Sequence, residues 1–165
     1  MQVKQGKINY TTLAELPDGA PIMTGTFSIN HKPAIILFDS GATHSFIGTK
    51  CGARLGLDPD HTKAPYMIIT PGGKVASNRI LRHVPIQLGS KLIKTNLISL
   101  RLEGMDIILG MDWMKQHKVL LDISSRAVEI DSPTQGATTL YLPSQEYVTS
   151  CTFAMEGVSN LRTSR

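Results

Sequence analysis

The sequence predicts a mostly β domain with one or two short helices. Two observations carry that prediction. Short apolar runs rich in Ile, Leu and Val alternate with Gly-, Pro- and Asn-containing turn signals along most of the chain. Leu, Ile, Val and Phe make up about a quarter of the 165 residues. That is enough apolar material for one core, so it argues against disorder throughout and against a two-lobed enzyme.

Residues 1–19 are polar, end in the turn signal Pro17-Asp18-Gly19 and are expected to be a linker or arm. Ile22–Ile29 mixes apolar and hydroxyl residues at strand spacing, and Asn30-His31-Lys32-Pro33 reads as a turn. Ala34–Phe38 reads as a buried strand, so the segment predicts a hairpin that ends at Asp39-Ser40-Gly41. The apolar residues from Phe46 to Leu57 suggest a short helix, which Gly48 and Gly52 weaken. Tyr66–Thr70 and Lys74–Ser77 flank Pro71-Gly72-Gly73 and predict a second hairpin.

Further strands are expected at Ile80–Leu88 and Lys91–Leu100, turned by Gly89-Ser90, and at Asp106–Gly110. A helix is expected over Asp112–Lys118, with Asp112 near its N-terminus in a capping role and His117 and Lys118 near its end, as the helix dipole favours. Val119–Ile123 and Ala127–Ile130 predict a last hairpin around Ser124-Ser125-Arg126. The folded body is thus expected over residues 20–131, and residues 132–165 as a tail with one strand at Thr138–Leu142.

Several function classes are disfavoured. The longest apolar run, Ala34–Phe38, is far too short to cross a membrane. Met1–Gly6 lacks an apolar signal core, so a soluble intracellular protein without a membrane partner is expected. Cys51 and Cys151 stand apart with no Cys-x-x-Cys, and the five His are scattered, so no metal site is expected. The formal charge is +4, but the basic residues are dispersed and aromatics are few, so no direct nucleic-acid partner is expected. Asn9-Tyr10-Thr11 fits a glycosylation sequon and, without a signal segment, reads as a chance match.

The informative feature is an apolar strand that delivers an acid into a tight turn, Ile35-Ile36-Leu37-Phe38-Asp39-Ser40-Gly41-Ala42-Thr43. A carboxylate placed directly after a buried strand must be held by hydrogen bonds. Asp-Ser-Gly alone is a common turn. Its combination with the Gly-tipped hairpin and a later Asp106-Ile107-Ile108-Leu109-Gly110 before a short helix is far more specific. A Ser-His hydrolase reading of Ser40 with His44 lacks the Gly-x-Ser-x-Gly elbow.

This order of motifs resembles the retropepsin-like aspartic proteases. Phe38–Ile47 and Asp106–Trp113 are similar to the protease segment of gypsy-class LTR retrotransposon polyproteins, particularly those of plants. The resemblance covers residues 20–131, and the tail, with Gly136-Ala137-Thr138-Thr139-Leu140, resembles the connector toward reverse transcriptase. It implies a closed β-barrel in a single lobe that dimerises.

Carried over residue by residue, the resemblance implies that Asp39 is catalytic and that Ser40, Gly41, Ala42 and Thr43 form and support the active-site loop, Ser40 bracing it across the dimer. Ile108, Leu109 and Gly110 then pack behind that loop. Ile69, Thr70, Pro71, Gly72 and Gly73 belong to a flap that closes over substrate. Trp113 is expected in packing, and no role is assigned to His44.

An acid–base dyad needs two adjacent carboxyls that share one proton, as the general pattern for aspartic proteases describes. This chain has one such motif, because Leu121-Asp122-Ile123-Ser124 lacks the Gly. The expected active species is therefore a homodimer with one shared site. It needs no cofactor and acts on an extended polypeptide, by resemblance the element's own Gag-Pol, in the cytoplasm or its virus-like particle. The alternative reading is a catalytically silent module of the same fold that dimerises or binds peptides.

Overall fold

The computed structural model describes residues 4–12, 23–132 and 136–143. In chain order the elements are β1 (Lys4–Lys7), β2 (Thr24–Ile29), β3 (Lys32–Phe38), β4 (Phe46–Gly48), α1 (Thr49–Arg54), β5 (Asp60–Thr70) and β6 (Gly73–Leu88). They continue with β7 (Lys91–Leu100), β8 (Ile107–Leu109), α2 (Met111–Gln116), β9 (Val119–Asp122), β10 (Ala127–Ser132) and β11 (Gly136–Tyr141). The Pro17-Asp18-Gly19 turn, Cys151 and the tail from Ser144 onward lie outside the described residues.

The expected first hairpin is present, with β2 antiparallel to β3 from Thr24↔Leu37 to Ile29↔Lys32. Asn30 and His31 turn it at φ 51° and 63°, the left-handed backbone of a two-residue hairpin turn. Beyond it the sheet runs β1-β5-β6-β2-β3-β8-β4-β7, and β7 pairs back onto β6. That last pairing closes the strands from β6 round to β7 into a barrel and leaves β5 and β1 as an extension from its side. β9, β10 and β11 form a separate antiparallel sheet.

The apolar run in β3 is unbroken because both of its faces are buried. Ala34, Ile36 and Phe38 enter one core cluster while Ile35 and Leu37 enter a second, the alternation a strand imposes. β8 divides the same way, with Ile107 and Leu109 on the first side and Ile108 on the second. The first cluster fills the barrel and reaches α1, α2 and β10 through Cys51, Trp113 and Val128; the second lies toward β5 and holds Ile8, Ile68, Ile98 and Leu100. Trp113 is buried and packs on Phe38 with ring centroids 5.8 Å apart, in keeping with a packing role.

Four details depart from expectation. Phe46 and Ile47 belong to strand β4, not a helix, because they alternate between the two clusters and pair with β8 and β7; the helix is only Thr49–Arg54. The strands expected at Lys74–Ser77 and Ile80–Leu88 are one strand, β6, whose register with β7 shifts between Leu81 and Val84, where His83 has φ 55°. Residues 4–12 are part of the fold rather than a linker: β1 pairs in parallel with β5, and Ile8 is buried. At the other end, β11 starts at Gly136 and pairs along β10, so the fold also takes in residues beyond 131.

Lys91 gives a physical reason for the last point. It is buried at 2 % exposure, and its Nζ donates to the carbonyls of Ile130 (3.1 Å) and Gly136. A buried ammonium requires such acceptors, so β7 is fastened to β10 and β11. Among the described residues no helix is long and apolar enough to cross a membrane.

Candidate active site

β3 ends at Phe38 and delivers Asp39 into a turn. The Asp39 N–H donates to the Leu109 carbonyl at 3.0 Å and extends the parallel β3–β8 ladder of Ile36↔Ile107, Leu37↔Ile108 and Phe38↔Leu109. The Ala42 N–H donates back to the Asp39 carbonyl at 3.2 Å. Two segments distant in sequence, 39–43 and 108–110, therefore form one structural unit.

The carboxyl itself is only half satisfied. Its Oδ1 accepts the Gly41 N–H at 2.8 Å, whereas Oδ2 is buried and has no hydrogen-bond partner among the described residues. Burial raises the Asp39 pKa above its ordinary 3.8, and the Gly41 hydrogen bond opposes that rise. A Cβ at Gly41 would lie 2.4 Å from Asn9 Nδ2 and 3.1 Å from Asp39 Oδ1, so a side chain there would push the Asn9 amide aside. Ser40 is exposed. Ala42 is fully buried, and its carbonyl accepts the Met111 N–H at 2.8 Å.

Behind the turn, Ile108 and Leu109 are fully buried. A Cβ on Gly110 would lie 2.2 Å from the His44 carbonyl oxygen and 2.7 Å from that of Ala42. The backbones thus meet with no room for a side chain. Ser45 locks the junction: its Oγ accepts the Gly110 N–H at 3.0 Å and donates to Asp112 Oδ1 at 2.7 Å.

Asp112 is not the cap itself. Gly110 occupies that position, while Asp112 in the first turn accepts the Trp113 N–H at 2.7 Å and holds Ser45.

The family model of the retroviral aspartyl proteases matches residues 2–136. The chain belongs to that family. Among solved structures, its fold is similar to the retroviral protease-like domain of Ddi1 from Leishmania major, with a TM-score of 0.55 and 20 % identity over 72 % of this chain and 94 % of that one. The EIAV protease complexed with the inhibitor HBY-793 is 26 % identical, covering 60 % of this chain and 90 % of that one, with a TM-score of 0.49. No curated protein matches the chain significantly. The mostly β, two-helix barrel is the retropepsin-like fold expected from the motifs.

In this member of the retroviral aspartyl protease family, the hairpin of β5 and β6 carries the remaining expected site residues. Pro71 and Gly72 form its tip. Thr70 Oγ1 donates to the Gly73 carbonyl at 2.7 Å and accepts the Gly72 N–H at 3.2 Å, and Gly73 has φ 122°. Ile69 is 45 % exposed, and its carbonyl accepts the Ile8 N–H at 3.0 Å. The tip is thus tied within itself, and β1 joins the hairpin to the turn after Asp39.

Thr43 makes that second junction. Its N–H donates to the Lys7 carbonyl at 3.0 Å, and its Oγ1 accepts the Lys7 N–H at 2.8 Å.

Sequence reasoning missed β1, Asn9, Ser45 and the clamp role of Asp112. Lys4-Gln5-Gly6-Lys7 carries no apolar alternation to mark a strand. Ser45 was detectable only as a hydroxyl residue directly preceding buried Phe46.

Proposed function

We propose that the chain is the aspartic endopeptidase of a retrotransposon Gag-Pol polyprotein, acting as a homodimer in which Asp39 and its counterpart in a second copy share one site. The observation that carries this reading is the half-satisfied carboxyl. Oδ1 is fixed by Gly41 and Oδ2 is buried without a partner, and leaving such an oxygen unpaired is costly. A second carboxyl sharing a proton with it resolves the cost. The raised pKa of Asp39 favours a protonated partner.

The surface beside the turn supports pairing of copies. Ser40 borders a groove of about 740 Å³ lined also by Met111, Met114, Leu120, Leu121 and Ile123. Leu120 is 66 % exposed and Ile123 52 %, which is apolar surface suited to an interface. A twofold axis near Ser40 brings the two turns together.

Water held between the two carboxyls loses a proton to the ionised one as its oxygen attacks the substrate carbonyl carbon. The protonated carboxyl gives its proton to the carbonyl oxygen. Collapse of the resulting diol breaks the C–N bond, with a proton passing to the departing amine. The dyad titrates as a pair rather than as two separate groups.

An extended polypeptide pairs its backbone with the hairpin strands by β-strand addition. The Gag-Pol assignment rests on the likeness of Phe38–Ile47 and Asp106–Trp113 to gypsy-class proteases, and the compartment that goes with this reading is the element's cytoplasmic virus-like particle. The test is peptide turnover by the parent chain and by Asp39→Asn, both checked for folding by circular dichroism. Turnover by the parent that disappears in the variant supports the reading; equal turnover, or none in either, refutes it.

A further inference from the structure

Residues Lys4–Asn9 lie extended between two surfaces. On one side they run parallel to β5, from Lys4↔Tyr66 to Lys7↔Ile69, and the Ile8 N–H donates to the Ile69 carbonyl at 3.0 Å. On the other side Lys7 exchanges hydrogen bonds with Thr43, N–H to Oγ1 at 2.8 Å and carbonyl to N–H at 3.0 Å. The slot is tight: a Cβ on Gly6 would lie 2.9 Å from both His44 Nδ1 and Ile68 Cδ1. The Asn9 amide lies against Gly41, beside Asp39.

An extended peptide hydrogen-bonded to the flap strand on one edge and to the catalytic loop on the other sits where a polypeptide substrate of this site has to sit. We propose that residues Lys4–Asn9 are a tethered pseudosubstrate, which a substrate strand must displace before it can pair with Thr43 and Ile69. The inference rests on the reading of Asp39 as the catalytic group. It also assigns the Thr43 N–H and Oγ1 and the Ile69 carbonyl as the groups that pair with substrate backbone. The segment's composition fits a displaceable ligand: Lys4, Gln5 and Lys7 are exposed, and Ile8 is its buried anchor. Because it is tethered, its effective concentration is on the order of millimolar, so a free peptide of ordinary affinity competes poorly.

The test is binding of a labelled synthetic peptide of residues 2–12 to the full chain, followed by fluorescence anisotropy. Lys7→Pro removes one N–H of the slot at an exposed position. Gly6→Val, which crowds the His44 ring and Ile68 Cδ1, serves as the second variant, and each is used once circular dichroism shows it folded.

The expected result is that the peptide binds the variants at least about 10-fold more tightly than the parent and that a statine-type inhibitor displaces it. Equal binding to parent and folded variants, no binding to the variants, or a bound peptide that the inhibitor leaves in place overturns the proposal. If neither variant folds, the segment is structural and the proposal is also overturned. The measurement needs no turnover, so failure of the catalytic reading shows separately, as hydrolysis that survives in Asp39→Asn.

Discussion

Ser45 Oγ donates to Asp112 Oδ1 at 2.7 Å and, through the same oxygen, accepts the Gly110 N–H. One buried hydroxyl thereby fixes the loop after Asp39 to the start of α2. Ser45→Ala leaves the Gly110 N–H without its acceptor and removes the hydroxyl's hydrogen bond to Asp112, which keeps the Trp113 and Ser45 N–H groups. The expected cost is about 1–3 kcal/mol, read as a lower urea midpoint with an unchanged m-value. A loss below a few tenths of a kcal/mol would show that solvent replaces the clamp.

Gly110→Ala tests the close approach of backbones behind the Asp39 turn. The added Cβ meets two carbonyl oxygens, and neither is the end of a flexible side chain. Destabilisation of more than about 3 kcal/mol is expected. Gly72→Ala, where a Cβ meets nothing nearer than Thr70 Oγ1 at 3.9 Å, is the matched control and is expected to change stability little.

Asp39→Asn has a predictable effect on stability as well as on turnover. The folded-state pKa of Asp39 is raised above its ordinary 3.8 by burial. Below that value the carboxyl is protonated in folded and unfolded chains alike, so it costs nothing. As pH rises past it, the unfolded chain ionises first, and stability falls until the folded carboxyl ionises as well. Asn avoids that loss. The variant is expected to melt above the parent at pH 7, with the difference shrinking as pH falls below 3.8. A variant that melts lower at neutral pH contradicts the sign.

Leu120→Glu places a charge on the exposed apolar rim of the groove beside Ser40. It is expected to weaken self-association at least about 10-fold, measured by analytical ultracentrifugation, while leaving the melting of the isolated chain nearly unchanged. Dimerisation at parental strength in this variant would move the interface elsewhere.

Much of the barrel was legible because its strands carry short apolar runs closed by turn residues. Ala34–Phe38 and Ile107–Leu109 are examples, and the fully buried faces of β3 and β8 explain why those runs lack polar alternation. The turn at Asp39 was legible through Asp39-Ser40-Gly41, whose glycine lies against the Asn9 amide. β4 was read as helix because its three residues are too few to show a period. β1 was invisible because Lys4–Lys7 is held by backbone hydrogen bonds and by the close packing of Gly6 on His44 and Ile68, neither of which leaves an apolar pattern. The hold of Lys91 on Ile130 and Gly136 was hidden for a related reason: a lysine in a strand ordinarily signals solvent.

The proposed mechanism needs two copies of Asp39 in one site. Mixing the parent chain with about a tenfold excess of Asp39→Asn, at fixed parent concentration and after exchange of subunits, tests it most directly. Random pairing leaves roughly a tenth of the parent chains in fully acidic dimers, so peptide hydrolysis is predicted to fall to about that level. Hydrolysis that stays at the level of the unmixed parent would show that a single chain carries the whole reaction, and would contradict the account.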